Sequence, residues 1–183
     1  MQRIRDIAKG DRAAFETFYQ AYQKRLFHYL YVMVRGVDVA EELTNDVMLE
    51  VWKGAGRFRG QSKPSTWLFG IAHHKALNEL RRKRPRLEPL HISHKMPDPA
   101  LGPEAASVRD SERAGVWRAV SSLSPEHREV VELTFYHQAT YREIARIVSC
   151  PVNTIKTRMF YAKRHLRTLL ATERSISQRE RSS

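Results

Sequence analysis

The chain predicts an all-α protein of two small helical domains joined by a proline-rich linker, and three observations carry that prediction. Apolar residues recur at three- and four-residue steps along most of the sequence, the spacing that lines side chains on one face of a helix. That period dissolves in one interval, where Pro85, Pro89, Pro97, Pro99 and Pro103 fall with Gly102 and deny the backbone the donors and dihedrals a helix needs. Near the C-terminal end, two periodic segments flank the short interruption Ser149-Cys150-Pro151, the pattern of a helix-turn-helix.

Phe15, Phe18, Tyr22, Leu26 and Leu30 mark a long first helix from Ala14 to about Val34. Gly36 breaks it, and Ala40, Leu43, Val47 and Val51 trace a second stripe ending near Gly54. Gly60, Ser62 and Pro64 punctuate again, and Ser65 or Thr66 is expected to cap a third helix carrying Leu68, Ile71, Ala72, Ala76 and Leu80. After the linker, periodicity resumes with Val116, Trp117, Val120 and Leu123. The Ser124-Pro125-Glu126 start signal then opens a helix through Val130, Val131 and Leu133. Tyr141, Ile144, Ala145 and Val148 share one face of a short helix, and Val152, Ile155, Met159, Ala162, Leu166 and Leu169 form the inner stripe of a longer one. The expected division is a first domain at 1–84, a linker at 85–111, a helix-turn-helix domain at 112–171 and a polar tail at 172–183.

Lys and Arg outnumber Asp and Glu by 32 to 20, and the formal charge of +12 favours a polyanionic partner. No apolar run approaches the roughly 20 residues that span a bilayer, and the start lacks the apolar core of a secretory signal, so a cytoplasmic protein without membrane insertion is expected. A single cysteine, Cys150, forms no internal disulfide and builds no thiolate metal site by itself.

The outer face of the last helix presents Asn153, Thr154, Lys156, Thr157, Arg158, Phe160, Lys163, Arg164 and Arg167, with no acid before Glu173. Helix-turn-helix modules put the first turns of this helix in the major groove, where amides and hydroxyls read base edges and cations clamp phosphates. A solvated basic face is the plainer account of such residues, and the paired helix and intervening turn weigh against it.

These residues bring the chain close to a known family. Leu123 to Leu170 resembles sigma region 4 through Glu143-Ile144-Ala145 and Thr154-Ile155-Lys156-Thr157-Arg158. AEELTNDVMLEVWKG, from Ala40 to Gly54, is similar to the part of sigma region 2 that docks on the polymerase clamp. Phe58 to Arg84 resembles the part that melts and reads the downstream promoter element. The short spacing of the two blocks, with no acidic extension before the first, points to the extracytoplasmic-function (ECF) branch of the sigma-70 family. Ser149 and Asn153 stand where that family usually has glycine, Tyr161 where arginine is common, Pro64 where an aromatic is frequent and His74 where asparagine is usual.

The resemblance implies core RNA polymerase, promoter DNA and an anti-sigma factor as partners, and no cofactor. It implies that Glu41, Glu42, Asn45 and Asp46 meet polymerase. It further implies that Lys63, Trp67, His74, Arg81, Arg82, Lys83 and Arg84 meet the downstream element, with the loop from Arg59 to Ser65 around an extruded base. Unpaired bases need aromatic faces beside a cationic track, and Trp67 and Phe69 supply aromatic rings there, although a core position for Trp67 is an equal reading. The acidic cluster of Asp38, Glu41, Glu42, Asp46 and Glu50 suits a basic protein partner.

The His73-His74 and His91/His94 pairs lack a complete ligand set at diagnostic spacing, so no metal site and no catalytic residue is expected. Two other readings stay open: a free-standing helix-turn-helix repressor or activator, and a metal-dependent nucleic-acid enzyme.

Overall fold

The computed structural model describes residues 2–83 and 115–180, all of whose regular elements are helices. The first bundle holds α1 (Gln2–Ala8), α2 (Arg12–Val34), α3 (Val37–Gly54), a single 3-10 turn (Ala55–Arg57) and α4 (Pro64–Lys83). The second holds α5 (115–121), α6 (Pro125–Phe135), α7 (Tyr141–Ile147) and α8 (Val152–Glu180). The proline-rich interval with His91 and His94 lies outside the described residues, as does Arg84.

Three boundaries differ from expectation for local reasons. The sequence pattern misses α1, whose seven residues carry only Ile4 and Ile7 as buried anchors. A helix that short does not stand alone, and packing against α2 decides it. At the end of α2 the left-handed residue is Arg35 (φ +60), while Gly36 is extended and serves as the N-cap of α3. The third expected helix starts at Pro64, which places Ser65 and Thr66 inside its first turn instead of at its cap. Proline is favoured there because its missing N–H is one the first turn leaves unpaired anyway. The backbone helix of α8 also runs on to Glu180, into the interval expected as a polar tail.

The Ser124-Pro125-Glu126 start and the Ser149-Cys150-Pro151 turn are realised as written, and a capping box the pattern did not disclose joins them. Ser124 caps α6 by accepting from the His127 N–H (3.4 Å) ahead of Pro125. Thr140 and Glu143 form a reciprocal capping box on α7, with the Thr140 N–H donating to Glu143 (2.8 Å) and the Glu143 N–H to Thr140 (3.3 Å). The turn after α7 closes when the Cys150 N–H donates to Ala145 O at 3.1 Å, with Ser149 left-handed at φ +53.

Phe18, Leu26, Tyr29, Leu30, Val47, Val51, Leu68 and Ala72 fill the first core; Val130, Leu133, Ile144, Ile155, Met159 and Ala162 fill the second. The two cores are continuous, because α6 packs across α2 and α7 across α4. Trp117 of α5 stacks on Tyr31 of α2, ring centroids 5.5 Å apart and 7° from parallel.

Candidate nucleic-acid interface

On α8, Ile155, Met159 and Ala162 turn inward, and the turns between them put Asn153, Lys156, Thr157, Lys163, Arg164 and Arg167 at the surface. Thr154 and Arg158 are half-buried at its edge. The Thr157 hydroxyl donates to Asn153 O at 3.0 Å, which fixes its rotamer beside the first turn. Lys163 lies 5.9 Å from the centre of the Phe135 ring, a cation–π contact that holds its ammonium near the base of the module. Phe160 and Tyr161 are also exposed, 63% and 49%, and extend the same face with aromatic surface. The sequence pattern puts Phe160 on this outer face, while Tyr161 joins it only in the structure; neither is among the expected DNA contacts.

The loop from Arg59 to Ser65 and the start of α4 frame a cleft of about 800 Å³ lined by Trp67, His74, Asn78, Lys75 and Gln61. The Trp67 ring packs on Phe58, centroids 5.1 Å apart, and another part of it lines the cleft. Phe69 belongs to the core, at 2% exposure, and meets Tyr29 and His137 instead of solvent. His74, Arg81 and Arg82 are exposed, with Arg82 paired to Glu79 at 3.0 Å; Lys83 ends α4.

Helix α7 closes one side of this cleft. Arg146 lines it and donates to Gln61 O at 3.3 Å, and Lys63 pairs with Glu143 at 2.7 Å. The Lys63 bond, together with the capping-box bonds from Thr140, holds the Glu143 carboxyl at about 2, well below its ordinary range. Glu143 therefore has two tasks, capping α7 and holding a cation of the other bundle.

On α3, Glu41, Glu42, Asn45 and Asp46 all reach solvent while Leu43, Val47 and Val51 face inward, the outcome of a 3.6-residue period. Leu49 interrupts the acidic surface at 50% exposure, an apolar residue outside the inward stripe of Ala40, Leu43, Val47 and Val51. Lys75 of α4 reaches Asp46 (3.3 Å) and Glu50 (3.5 Å), so that edge of the acidic face is partly neutralised from within the bundle.

The seam between the bundles is the feature the sequence did not disclose. Arg128, Glu129 and Glu132 of α6 are 5%, 1% and 7% exposed. Arg128 donates to Val32 O (3.0 Å) and Met33 O (3.4 Å) at the end of α2, and to Ser121 O (3.3 Å) and Leu123 O (2.8 Å) beyond α5. These are carbonyls that helix ends leave unpaired, and a cation is favoured beside them. Burial, then the nearby Arg35, lowers the Arg128 guanidinium to about 10, so it stays charged at neutral pH. Glu129 accepts from the Tyr29 hydroxyl and pairs with His73 at 2.6 Å; Glu132 pairs with His28 at 2.7 Å. Burial foremost, with Glu129 beside it, pushes the Tyr29 phenol well up.

A helix-turn-helix whose last helix bears no acid before Glu173, beside a bundle bearing an aromatic cleft and an acidic face, defines a DNA-binding protein of two modules. Residues 18–86 match the family model for Sigma-70 region 2 and residues 113–166 that for Sigma-70, region 4. Over 170 residues the chain is 30% identical to the ECF RNA polymerase sigma factor SigK of Mycobacterium tuberculosis, covering 91% of each chain. It is 28% identical over 172 residues to the RNA polymerase sigma-H factor of Pseudomonas aeruginosa, covering 88% of this chain and 89% of that one. The fold is that of the sigma factor RpoE of Bartonella quintana, solved with the anti-sigma factor NepR (TM-score 0.70, 23% identity, 86% of this chain and 96% of that one). It is also that of CnrH, solved with the cytosolic domain of CnrY (TM-score 0.70, 18% identity, 93% and 96%). The chain belongs to the sigma-70 family, in its ECF branch, and acts in transcription initiation.

Proposed function

We propose that this chain brings core RNA polymerase to promoters by dividing the work among three surfaces. The exposed acidic face of α3, from Glu41 through Asp46 with Leu49 at its centre, meets a basic surface of the polymerase clamp. The cleft beside Trp67 and His74 takes an unpaired base of the downstream element, with Lys63 and the cations from Arg81 to Arg84 along the phosphates. Asn153, Thr154 and Thr157 read base edges of the upstream element, while Lys156, Lys163, Arg164 and Arg167 clamp its backbone and Arg158 serves either role. The domain boundaries at 84, 111 and 171 belong to this reading.

The observation that carries it is the outer face of α8, where small polar groups occupy the first turn and cations follow toward the C-terminus with no acid among them. Use of the downstream cleft requires α7 to leave it, since Glu143 holds Lys63 and Arg146 lines the opening. An anti-sigma factor, the kind of partner with which the Bartonella quintana neighbour was solved, would act on this balance between closed and open arrangements. The site of action is the cytoplasm, and no residue takes a catalytic role; no described helix is long and apolar enough to cross a membrane.

The test is transcription with core polymerase from a promoter library randomised across the upstream element, at two salt concentrations. Asn153→Ala is expected to change base preference at one position, worth about 1–3 kcal/mol. Arg167→Ala is expected to weaken all promoters alike and lower the salt dependence by about one unit. The reverse pattern would overturn the orientation of α8. Equally tight operator binding with and without core enzyme would favour a free-standing regulator.

A further inference from the structure

In the seam between the bundles, three metal-ligating side chains from two modules converge. Glu132 Oε1 of α6 lies 2.7 Å from His28 Nδ1 of α2 and 3.1 Å from His137 Nε2 in the turn after α6. The donor atoms of the three all lie within 4.8 Å of one another.

His137 supplies a second, independent observation. Its side chain is 1% exposed, yet neither ring nitrogen has a hydrogen-bond partner; Nε2 approaches Glu132 at ion-pair distance but out of alignment for a bond. Buried polar atoms in folded proteins are paired in the great majority, and each exception asks for the partner that is missing. A neutral imidazole and an ionised carboxylate are the states in which these groups bind a metal.

We propose that His28, Glu132 and His137 form a binding site for a divalent transition metal of the zinc class, bridging the two modules. Two imidazoles and a carboxylate suit zinc, whereas magnesium and calcium prefer oxygen ligands throughout. Ligand distances of about 2.0–2.1 Å around a tetrahedral ion place donor atoms roughly 3.4 Å apart. The present 2.7 and 3.1 Å separations therefore need to widen by only a few tenths of an ångström. A cavity of about 450 Å³ reaches His28 and Tyr136 from the surface. The His28 ring stacks on Tyr136 with centroids 3.8 Å apart, and Arg25 donates to the backbone carbonyl of His137 at 3.2 Å, which fixes the turn that carries the ring. The Arg25 charge opposes a bound cation.

Because the ligands come from both modules, metal binding favours the closed arrangement, in which α7 sits on the downstream cleft. Zinc at 100 times its dissociation constant would shift that equilibrium about 100-fold toward closure. This consequence rests on the promoter reading above; the metal binding itself does not.

The experiment uses the full chain, stripped with a chelator and titrated with Zn²⁺, Co²⁺ or Mg²⁺. One equivalent of zinc is expected to bind and raise the melting temperature, cobalt to give the absorption of a tetrahedral N/O site, and magnesium to do neither. His137→Ala removes a ring that has no hydrogen bond to lose, so it should fold, as circular dichroism would check. It should weaken zinc by more than the roughly 10–100-fold that loss of an outer-shell partner costs, as should His28→Ala. The exposed His165→Ala should change nothing. No stoichiometric zinc binding, binding that survives His137→Ala or is lost only in the His91→Ala/His94→Ala variant, or a cobalt spectrum with thiolate character would each overturn the site. Zinc bound at these ligands without slower promoter opening would remove the link to transcription and leave the site standing.

Discussion

Replacing Arg128 with methionine tests whether the seam is held by a buried cation at two helix ends. Methionine keeps most of the stem's volume and removes the guanidinium, so the readout is charge and hydrogen bonding more than packing. Arg128 is 5% exposed, and its two shortest bonds, to Leu123 O at 2.8 Å and Val32 O at 3.0 Å, are charge-assisted. Such bonds contribute about 1.5–3 kcal/mol each. The lowering of the guanidinium to about 10 shows that burial already penalises its charge, which favours the lower half of that range. A net loss of about 3 kcal/mol follows, a large share of the roughly 5–15 kcal/mol that holds a domain together. The assay is urea unfolding of the full chain followed by two probes, with melting as a check; about 6–12 °C is expected at this size. Arg128→Lys should recover part of the loss, because a single ammonium cannot fork between two helix ends. A loss below about 1 kcal/mol, or a gain as when apolar residues replace a buried ion pair, would refute the reasoning.

Three further outcomes are expected. Ser149→Gly should stabilise the chain by about 1 kcal/mol in thermal unfolding, since the left-handed turn penalises any Cβ; a neutral or negative result would show that the Ser149 hydroxyl compensates. Glu143→Gln keeps a capping side chain but loses the ion pair with Lys63. The wild-type carboxyl is depressed to about 2 in the folded chain, so its contribution is present above the unfolded value near 4.5 and is lost as pH falls through the folded one. The variant should therefore show a flatter acid limb between about pH 4.5 and 2, and an unchanged limb would count against the pair. Trp67→Ala should destabilise by less than the roughly 3–5 kcal/mol of a fully buried ring, because one part of it lines the cleft, and should slow open-complex formation. A folded Trp67→Ala chain that opens promoters normally would take Trp67 out of the DNA interface.

How far the sequence carried these conclusions differs from helix to helix. The inward stripes of α3 and α8 were legible because a 3.6-residue period assigns each side chain to a face without knowledge of any partner. Glu41, Glu42, Asn45 and Asp46 share the outer face of α3 for that reason, as do Asn153, Lys156 and Arg164 on α8. The cap at Ser124 was local as well, depending on three or four consecutive residues. Helix α1 was too short for its period to register.

Periodicity states which residues turn away from solvent in an isolated helix, and α6 is a helix enclosed on two sides. Its Val130 and Leu133 face their own bundle as the pattern requires, while Arg128, Glu129 and Glu132 face α2 and α4, where their charges looked like ordinary solvated surface. Partners some 100 positions away in the chain, Tyr29 for Glu129 and His28 for Glu132, satisfy them, and no local signal encodes a partner at that separation. The sequence by itself determined two helical modules, their order, the outward face of α8 and the family. Only the tertiary structure decided that the modules close on each other, that Lys63 is held by Glu143, and that two histidines and a glutamate meet in the seam. The reason is that burial of a charge, and the geometry of a ligand cluster, are properties of surfaces brought together and not of the helices that bear them.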